Sequence, residues 1–306
     1  MSENASYTPE EVAKILKISK FTVYEMIKRG DLAAYHIGRK VRVEAPDLDM
    51  YIQKSKGTNI SQPSAPAEAP RHSGFIICGQ DTVLDILTRH LEKELPHISV
   101  LRNYTGSMDG LTALYRGNAN VATAHLWDGD TDTYNVPYVR SLLPGHRALL
   151  INLVYRTAGF YVAKNNPLDI TDWNDLAKPE LRLINRERGS GARVLLDEQL
   201  RKLDLNSALI NGYTREETSH LTIASTVARG EADVGLGIEK VALQNANIDF
   251  IPLRKERYDL VIRKEDADKP HFQTLLAIIR SAAFREQIAG MGGYDITHTG
   301  QIMGQT

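Results

Sequence analysis

Cysteine occurs once in these 306 residues, at Cys78. A single thiol excludes an internal disulfide framework and any zinc or iron–sulfur site built from several cysteines. Its place in the apolar run Phe75-Ile76-Ile77-Cys78 predicts a buried strand residue. No apolar run approaches the roughly 20 residues of a membrane-spanning helix, and the polar start lacks the pattern of a signal peptide, so the chain is expected to be cytoplasmic and to have no membrane partner. Surplus charge is missing too: 37 Lys and Arg face 38 Asp and Glu, a net charge of −1. That balance, with 42% apolar residues, describes a globular protein rather than a broadly basic coat for nucleic acid. Metal-ligand spacing is absent among the nine histidines, and no G-x-S-x-G elbow, Walker loop or dinucleotide fingerprint appears. No catalytic residue, metal site or cofactor is therefore assigned, and the chain is read as a binding protein rather than an enzyme.

What is present begins with residues 1–54. Thr8 is placed to cap a helix with Pro9 in its first turn, Glu10 and Glu11 at its positive end, and Val12, Ile15 and Leu16 on one apolar face. Ser19 starts a second helix with Val23 and Ile27 inward, and Gly30 stops it. Lys20, Thr22, Tyr24, Lys28 and Arg29 then face outward, a set suited to base edges and phosphates. Residues 34–37 and 40–44 alternate as a hairpin turning at Gly38-Arg39, and Arg39, Lys40 and Arg42 make that wing basic. Residues 45–52 close the unit as a third helix. Over residues 6–54 this pattern resembles the excisionase-type, MerR-like winged helix-turn-helix, which implies double-stranded DNA as a partner. With ten Lys/Arg against eight Asp/Glu in residues 1–56, one copy is only mildly basic, and a homodimer or higher homo-oligomer is expected.

Residues 55–72, rich in Pro, Ser and Ala, read as a tether. From residue 73 to 306 apolar strands alternate with helices: strands at 75–78, 98–104 and 121–126, helices at 82–95 and 108–116. That alternation points to a parallel sheet with ligands at the carboxyl ends of its strands. Three turns fall there, at residues 79–82, 105–110 and 186–193. Each precedes a helix, so each offers unpaired N–H groups and a positive dipole end, supplemented by the hydroxyls of Thr82, Ser107 and Ser190. Convergence of such ends would hold an anion. His125, after a strand at the predicted cleft, is a further candidate, and Trp127 is expected to wall the pocket or to pack between lobes.

Residues 73–306 resemble the type II periplasmic-binding-protein fold, and within it the cytoplasmic relatives of tungstate- and molybdate-binding proteins. The resemblance rests on Tyr104-Thr105-Gly106-Ser107, on residues 114–121, on Asn185-Arg186 with Ser190-Gly191, and above all on residues 227–238. It implies a multidomain chain: a small α+β winged helix-turn-helix plus a two-lobed α/β domain, with lobe one at about 73–150 and the tail from about 258, and lobe two at about 160–250. It implies hinge crossings near Tyr155 to Tyr161 and Ile251-Pro252-Leu253. An arginine followed four residues later by Ser-Gly meets the oxyanion in that family, and Arg186, Ser190 and Gly191 have this spacing. Thr82 and Ser107 stand where lobe one contributes donors. The first turn departs from the family's run of hydroxyls in having Gln80-Asp81-Thr82. Asp81 and Asp109 would repel a fully ionised anion, so they are read as helix caps or as partners of Arg186, Arg188 or Arg193; the alternative is a ligand bearing a proton or amine for them to accept. The expected function is a ligand-responsive transcription regulator with molybdate or tungstate as effector. The alternatives are a sensor of an organic metabolite or molybdenum-cofactor precursor, and an excisionase-like architectural protein.

Overall fold

The computed structural model describes residues 6–28, 31–38, 40–56 and 74–306. Arg29, Gly30, Arg39 and most of the tether lie outside the described residues. The chain divides into two compact units, Met1–Glu68 and Ala69–Thr306.

In the first unit, β1 (Ser6–Tyr7) leads into α1 (Pro9–Leu16), α2 (Lys20–Lys28), β2 (Tyr35–Ile37), β3 (Lys40–Glu44) and α3 (Ala45–Lys56). Thr8 and Glu11 form a reciprocal capping box at the start of α1, which satisfies donors that the first turn otherwise leaves orphaned. Ser19 does the same for α2, its hydroxyl accepting from the Thr22 amide at 3.1 Å. The hairpin pairs Tyr35 with Arg42 and Ile37 with Lys40, and Gly38 at φ 60° supplies the left-handed backbone that so tight a turn requires. β1 adds a third strand against β3, which the periodicity did not indicate. Val12, Ala13, Val23, Met26, Leu32, Val43 and Leu48 make the core. Ala13 and Met26 thus take inward places, whereas Ile15 is 47% exposed. At about 100° per residue, Val12, Ala13 and Leu16 cluster on one side of α1, with Ile15 beyond its edge.

The second unit runs β4 (Gly74–Cys78), α4 (Thr82–Glu94), β5 (Ser99–Asn103), α5 (Ser107–Tyr115), β6 (Val121–Ala124), β7 (Trp127–Asp128), β8 (Thr133–Tyr134), α6 (Val136–Leu142) and β9 (Ala148–Ala163). It continues with β10 (Leu183–Arg186), α7 (Gly191–Lys202), β11 (Glu216–Glu217), α8 (His220–Ala228), β12 (Val234–Ile238), α9 (Glu239–Ala242), β13 (Ile248–Arg263), α10 (Pro270–Arg280), α11 (Ala282–Gly290) and β14 (Ile302–Gln305). One sheet threads both lobes in the order β11-β10-β12-β9-β13-β6-β4-β5, with β14 paired to β9. Strand pairs are parallel at both ends, β4 with β5 and β6, β10 with β11 and β12. The centre is antiparallel, so the sheet is mixed rather than parallel as the alternation suggested. The reason is that β9 and β13, 16 residues each, lie against one another along nearly their whole length and carry the chain between lobes. β13 bulges at Pro252/Arg254 and at Tyr258/Asp259, which bends the sheet between the lobes.

In lobe one α4, α10 and α11 cover one sheet face around Leu84, Leu87, Phe272 and Phe284, while α5 and α6 cover the other around Leu111, Leu114, Val139 and Leu143. In lobe two α7 packs through Leu195, Leu196 and Leu200 and α8 through Ile223, Ala224 and Val227. The β7–β8 hairpin crosses over: although it belongs to lobe one in chain order, Trp127 and Tyr134 are buried in the lobe-two core. Cys78 is buried in β4 and burial pushes its thiol pKa up.

Candidate functional site

Both lobes contribute to one narrow cavity, lined by Gln80, Thr105, Gly106, Ser107, Thr123, His125, Arg186, Ser190, Gly191, His220 and Tyr258. Only about 10 Å³ of it is open to the centre of a water molecule, room for one water. Three helices begin at its wall: α5 at Ser107, α7 at Gly191 and α8 at His220. Gly106 provides no side-chain cap, so the first turn of α5 keeps N–H groups other than that of Met108 without a side-chain partner. Ser190 caps its own helix, accepting from the Arg193 amide at 3.2 Å, and its hydroxyl proton stays free to donate.

The lobes are closed on one another. Met108 N–H donates to the Gly189 carbonyl at 3.0 Å, and Arg186 Nη2 donates to Gln80 Oε1 at 3.2 Å. Glycines let the walls come this close: a methyl on Gly191 would clash at 2.4 Å with His125 Cε1, and one on Gly106 would make a tight contact of 3.1 Å with Ser190 Cα.

Arg186 is the cavity's cation. Its Nε and Nη2 donate to Glu187 at 2.7 and 2.8 Å, and Nη2 also to the Thr218 carbonyl at 3.1 Å. Nη1 has no hydrogen-bond partner among the described residues. His220 lines the same cavity, 8% exposed, and its Nδ1 is buried without a partner among the described residues. Burial, reinforced by the positive charges of Arg186 and Arg156, holds its pKa well below 6.5. His220 is therefore neutral at neutral pH and offers one N–H donor. A base whose pKa is depressed on folding confers stability that is complete above its unfolded value and lost as pH falls from about 6.5 toward the folded value. His220→Gln should accordingly flatten the decline in stability between pH 6.5 and 5 by up to about 1.4 kcal/mol per pH unit; chemical denaturation across that range measures it, and an unchanged slope would contradict a neutral His220.

Behind the cavity lies a buried ion cluster. Arg156, at 2% exposure, pairs with Asp81 and, at 2.5 Å through Nε, with Glu256; its guanidinium also sits 4.3 Å over the Tyr258 ring. Asp81 additionally caps α4, accepting from the Val83 amide at 2.8 Å, and accepts from the Tyr294 hydroxyl at 2.8 Å. Glu256 reaches His125 Nδ1 at 3.1 Å. Burial alone would raise the Glu256 pKa, but His125 and Arg156 hold it at about 2. Tyr258, its hydroxyl pKa pushed up by burial, donates to Thr123 at 2.8 Å. His125 is thereby fixed against the cavity wall by a carboxylate behind it.

Of the expected ligand contacts, Ser107, His125, Arg186, Ser190 and Gly191 meet in this cavity. Thr82, Asp81 and Asp109 do not line it. Thr82 is exposed and bonds Tyr294 at 3.0 Å, because α4 starts with its N-terminal turn toward the segment around residue 294; Gln80, two residues earlier, reaches the cavity instead. Asp81 is a cap, as expected, but its cation is Arg156 rather than Arg186, Arg188 or Arg193. Asp109 is exposed in the first turn of α5. Trp127 lies outside the cavity lining, within the lobe-two core. Gln80, Thr105, Gly106, Thr123, His220 and Tyr258 complete the lining and were not singled out. A signal for His220 existed: Ser219-x-x-Thr222 ahead of an apolar run marks a helix start, and Ser219 does cap α8.

On the first unit, Tyr24 and Lys28 lie exposed on α2 and Lys40 is exposed on β3. Lys20 pairs with Glu10 of α1, an exposed pair of small energetic weight. The Thr22 hydroxyl lies 2.8 Å from that of Ser19, within the N-cap. Arg42 is half-buried and near enough to Glu11 to lower its carboxyl pKa, behind the larger effect of Thr8. Arg29 and Arg39 lie outside the described residues.

A two-lobed domain with a mixed sheet, preceded by a helix-turn-helix, defines the class of this protein. The chain belongs to the PBP superfamily, whose domain model matches residues 88–280, and a helix-turn-helix domain model matches residues 6–56. Over its full length it is similar to YvgK of Bacillus subtilis (strain 168), 42% identical with 100% of each chain covered. In fold it is similar to a phosphate-bound ABC transporter substrate-binding protein of Clostridium perfringens, at TM-score 0.55 and 15% identity, covering 72% of this chain and 98% of that one. An H2O2-bound mutant of OxyR from Corynebacterium glutamicum aligns at TM-score 0.51 and 15% identity, covering 93% of this chain and 90% of the other. The architecture joins a DNA-binding module to a ligand-binding one, and among the described residues no helix is long and apolar enough to cross a membrane.

Proposed function

We propose that the protein is a one-component transcription regulator that senses a fully ionised tetrahedral oxyanion, with molybdate or tungstate as the preferred effector. The observation that carries this reading is the cavity's chemistry: Arg186, the hydroxyls of Ser107 and Ser190, neutral His220 and three helix N-termini drawn from both lobes surround it, and among the described residues no Asp or Glu lines it. Such a lining supplies donors to an anion that offers only acceptors, and helix N-termini favour its charge. Asp81 and Asp109, the acceptors a protonated ligand or an amine would require, are placed elsewhere, which disfavours the organic-metabolite reading. A five-atom oxyanion exceeds a one-water cavity, so binding must shift the lobes about the β9–β13 crossing. That shift is the signal: it alters how sensor domains associate in a homo-oligomer, and with it the spacing of DNA heads on a two-part operator. The chain acts by binding and not by catalysis.

Isothermal calorimetry with molybdate, tungstate, sulfate and phosphate tests the ligand class. Molybdate and tungstate are expected to bind with similar affinity, since their charge and shape agree. Phosphate should bind more weakly, because near neutral pH it retains a proton that finds no carboxylate. Absence of heat with all four would end the oxyanion reading, and phosphate as the tightest ligand would reverse the argument from donors.

A further inference from the structure

α2 buries Val23 and Met26 in the core of the first unit, and leaves Phe21 74% exposed. Tyr24 and Lys28 are exposed on that side, with exposed Lys20 and Thr22 at its two borders. At about 100° per residue, Phe21 lies within about 20° of Lys28 and 60° of Tyr24, near the middle of the outward face, and Lys20 is at its border. Phe21 is also the second residue of the helix, in the N-terminal turn from which a reading helix reaches base edges. Lys28 along the same face carries charge of the sign that phosphates attract. A phenyl ring has no donor or acceptor, so among groups displayed in the major groove its complement is the thymine C5-methyl group.

We propose that Phe21 is a specificity-determining residue that reads a thymine methyl group in the major groove. The inference rests on the DNA-binding reading of the first unit and assigns a base to one side chain within it. Neighbouring Tyr24, 41% exposed, flanks the ring and helps exclude water from the contact. Lys28 contributes attraction without base preference, while Lys20 is held by Glu10.

The full-length protein is first used to select sites from a randomised duplex pool at fixed salt. Each thymine of the selected site is then replaced singly by deoxyuridine, which removes only the methyl group, and binding is measured for the parent, Phe21→Ala and Phe21→Leu. At one thymine per half-site the parent should lose about fourfold in affinity, the transfer value of one methyl group. Phe21→Ala should bind the thymine and uracil sites equally, and Phe21→Leu should retain part of the discrimination. Unchanged melting temperatures for both variants confirm that the exposed ring is not needed for folding. If no pool sequence is retained, the DNA-binding reading itself fails. If a site is selected but no uracil substitution matters, or Phe21→Ala keeps the full penalty, the assignment of Phe21 is overturned. Loss of the oligomeric state in Phe21→Ala, with the penalty intact, would overturn it in favour of a subunit contact.

Discussion

Arg156→Met should destabilise the second unit by about 3–5 kcal/mol, the range seen when one partner of a buried ion pair is removed. Asp81 and Glu256 would be left as buried carboxylates without their shared cation. At about 2–4 °C per kcal/mol for a domain of this size, the melting temperature should fall by roughly 10 °C. The pH dependence gives the effect a signature. In the parent, the depressed Glu256 pKa contributes stability that is present above about 4.5 and lost as pH falls toward about 2. Arg156→Met loses the Arg156 share of that contribution while His125 keeps its own, so parent and variant stabilities should draw closer as pH drops below about 4. Adding Asp81→Asn and Glu256→Gln should recover part of the loss at neutral pH. A variant equally destabilised at every pH would show that Arg156 acts through packing on Tyr258 and not through charge.

Arg186→Ala should weaken molybdate binding by about 100-fold or more, close to 3 kcal/mol, since the cavity's full positive charge and a free Nη1 donor disappear together. Stability should change little. Glu187, the carboxylate paired with Arg186, keeps 23% of its side-chain surface exposed and can return to water. Arg186→Lys should restore only part of the affinity, because an ammonium cannot bridge Glu187, Gln80 and the ligand from a planar fork. Calorimetry alongside a thermal melt separates the two quantities; full affinity in a stable Arg186→Ala would remove Arg186 from the site.

The local features were legible in the residues themselves. Thr8 with Glu11, Ser19, Gly38 and Ser190 act within a few positions along the chain, so their spacing states their role. Ser190 was legible for the same reason, as a hydroxyl in a strand-to-helix turn, whereas Arg186 and Gly191 were singled out through the family resemblance. What escaped depends on partners far away in sequence. Asp81 meets Arg156 75 positions on, and no local pattern distinguishes that cation from Arg186, Arg188 and Arg193. His220 enters the cavity from a helix whose relation to α5 and α7 exists only after lobe two has folded. The antiparallel centre of the sheet was hidden because an apolar run such as β9 does not state its pairing direction, and its partner in β13 lies 100 residues away between Arg156 and Glu256.

The β7–β8 hairpin limits how the cleft can work. Trp127 is held in lobe two by packing, Gly129 N–H reaches Glu198 at 3.1 Å, Asp130 pairs with Arg201 at 2.7 Å, and Arg254 lies 4.3 Å over the indole. A parting of the lobes along their whole length would drag that indole into water and cost several kcal/mol. The jaws are thus latched at one corner, so the proposed shift about the β9–β13 crossing is limited to a stroke that leaves this corner closed. A short stroke of that kind would keep the Trp127 contacts intact in both the empty and the occupied domain.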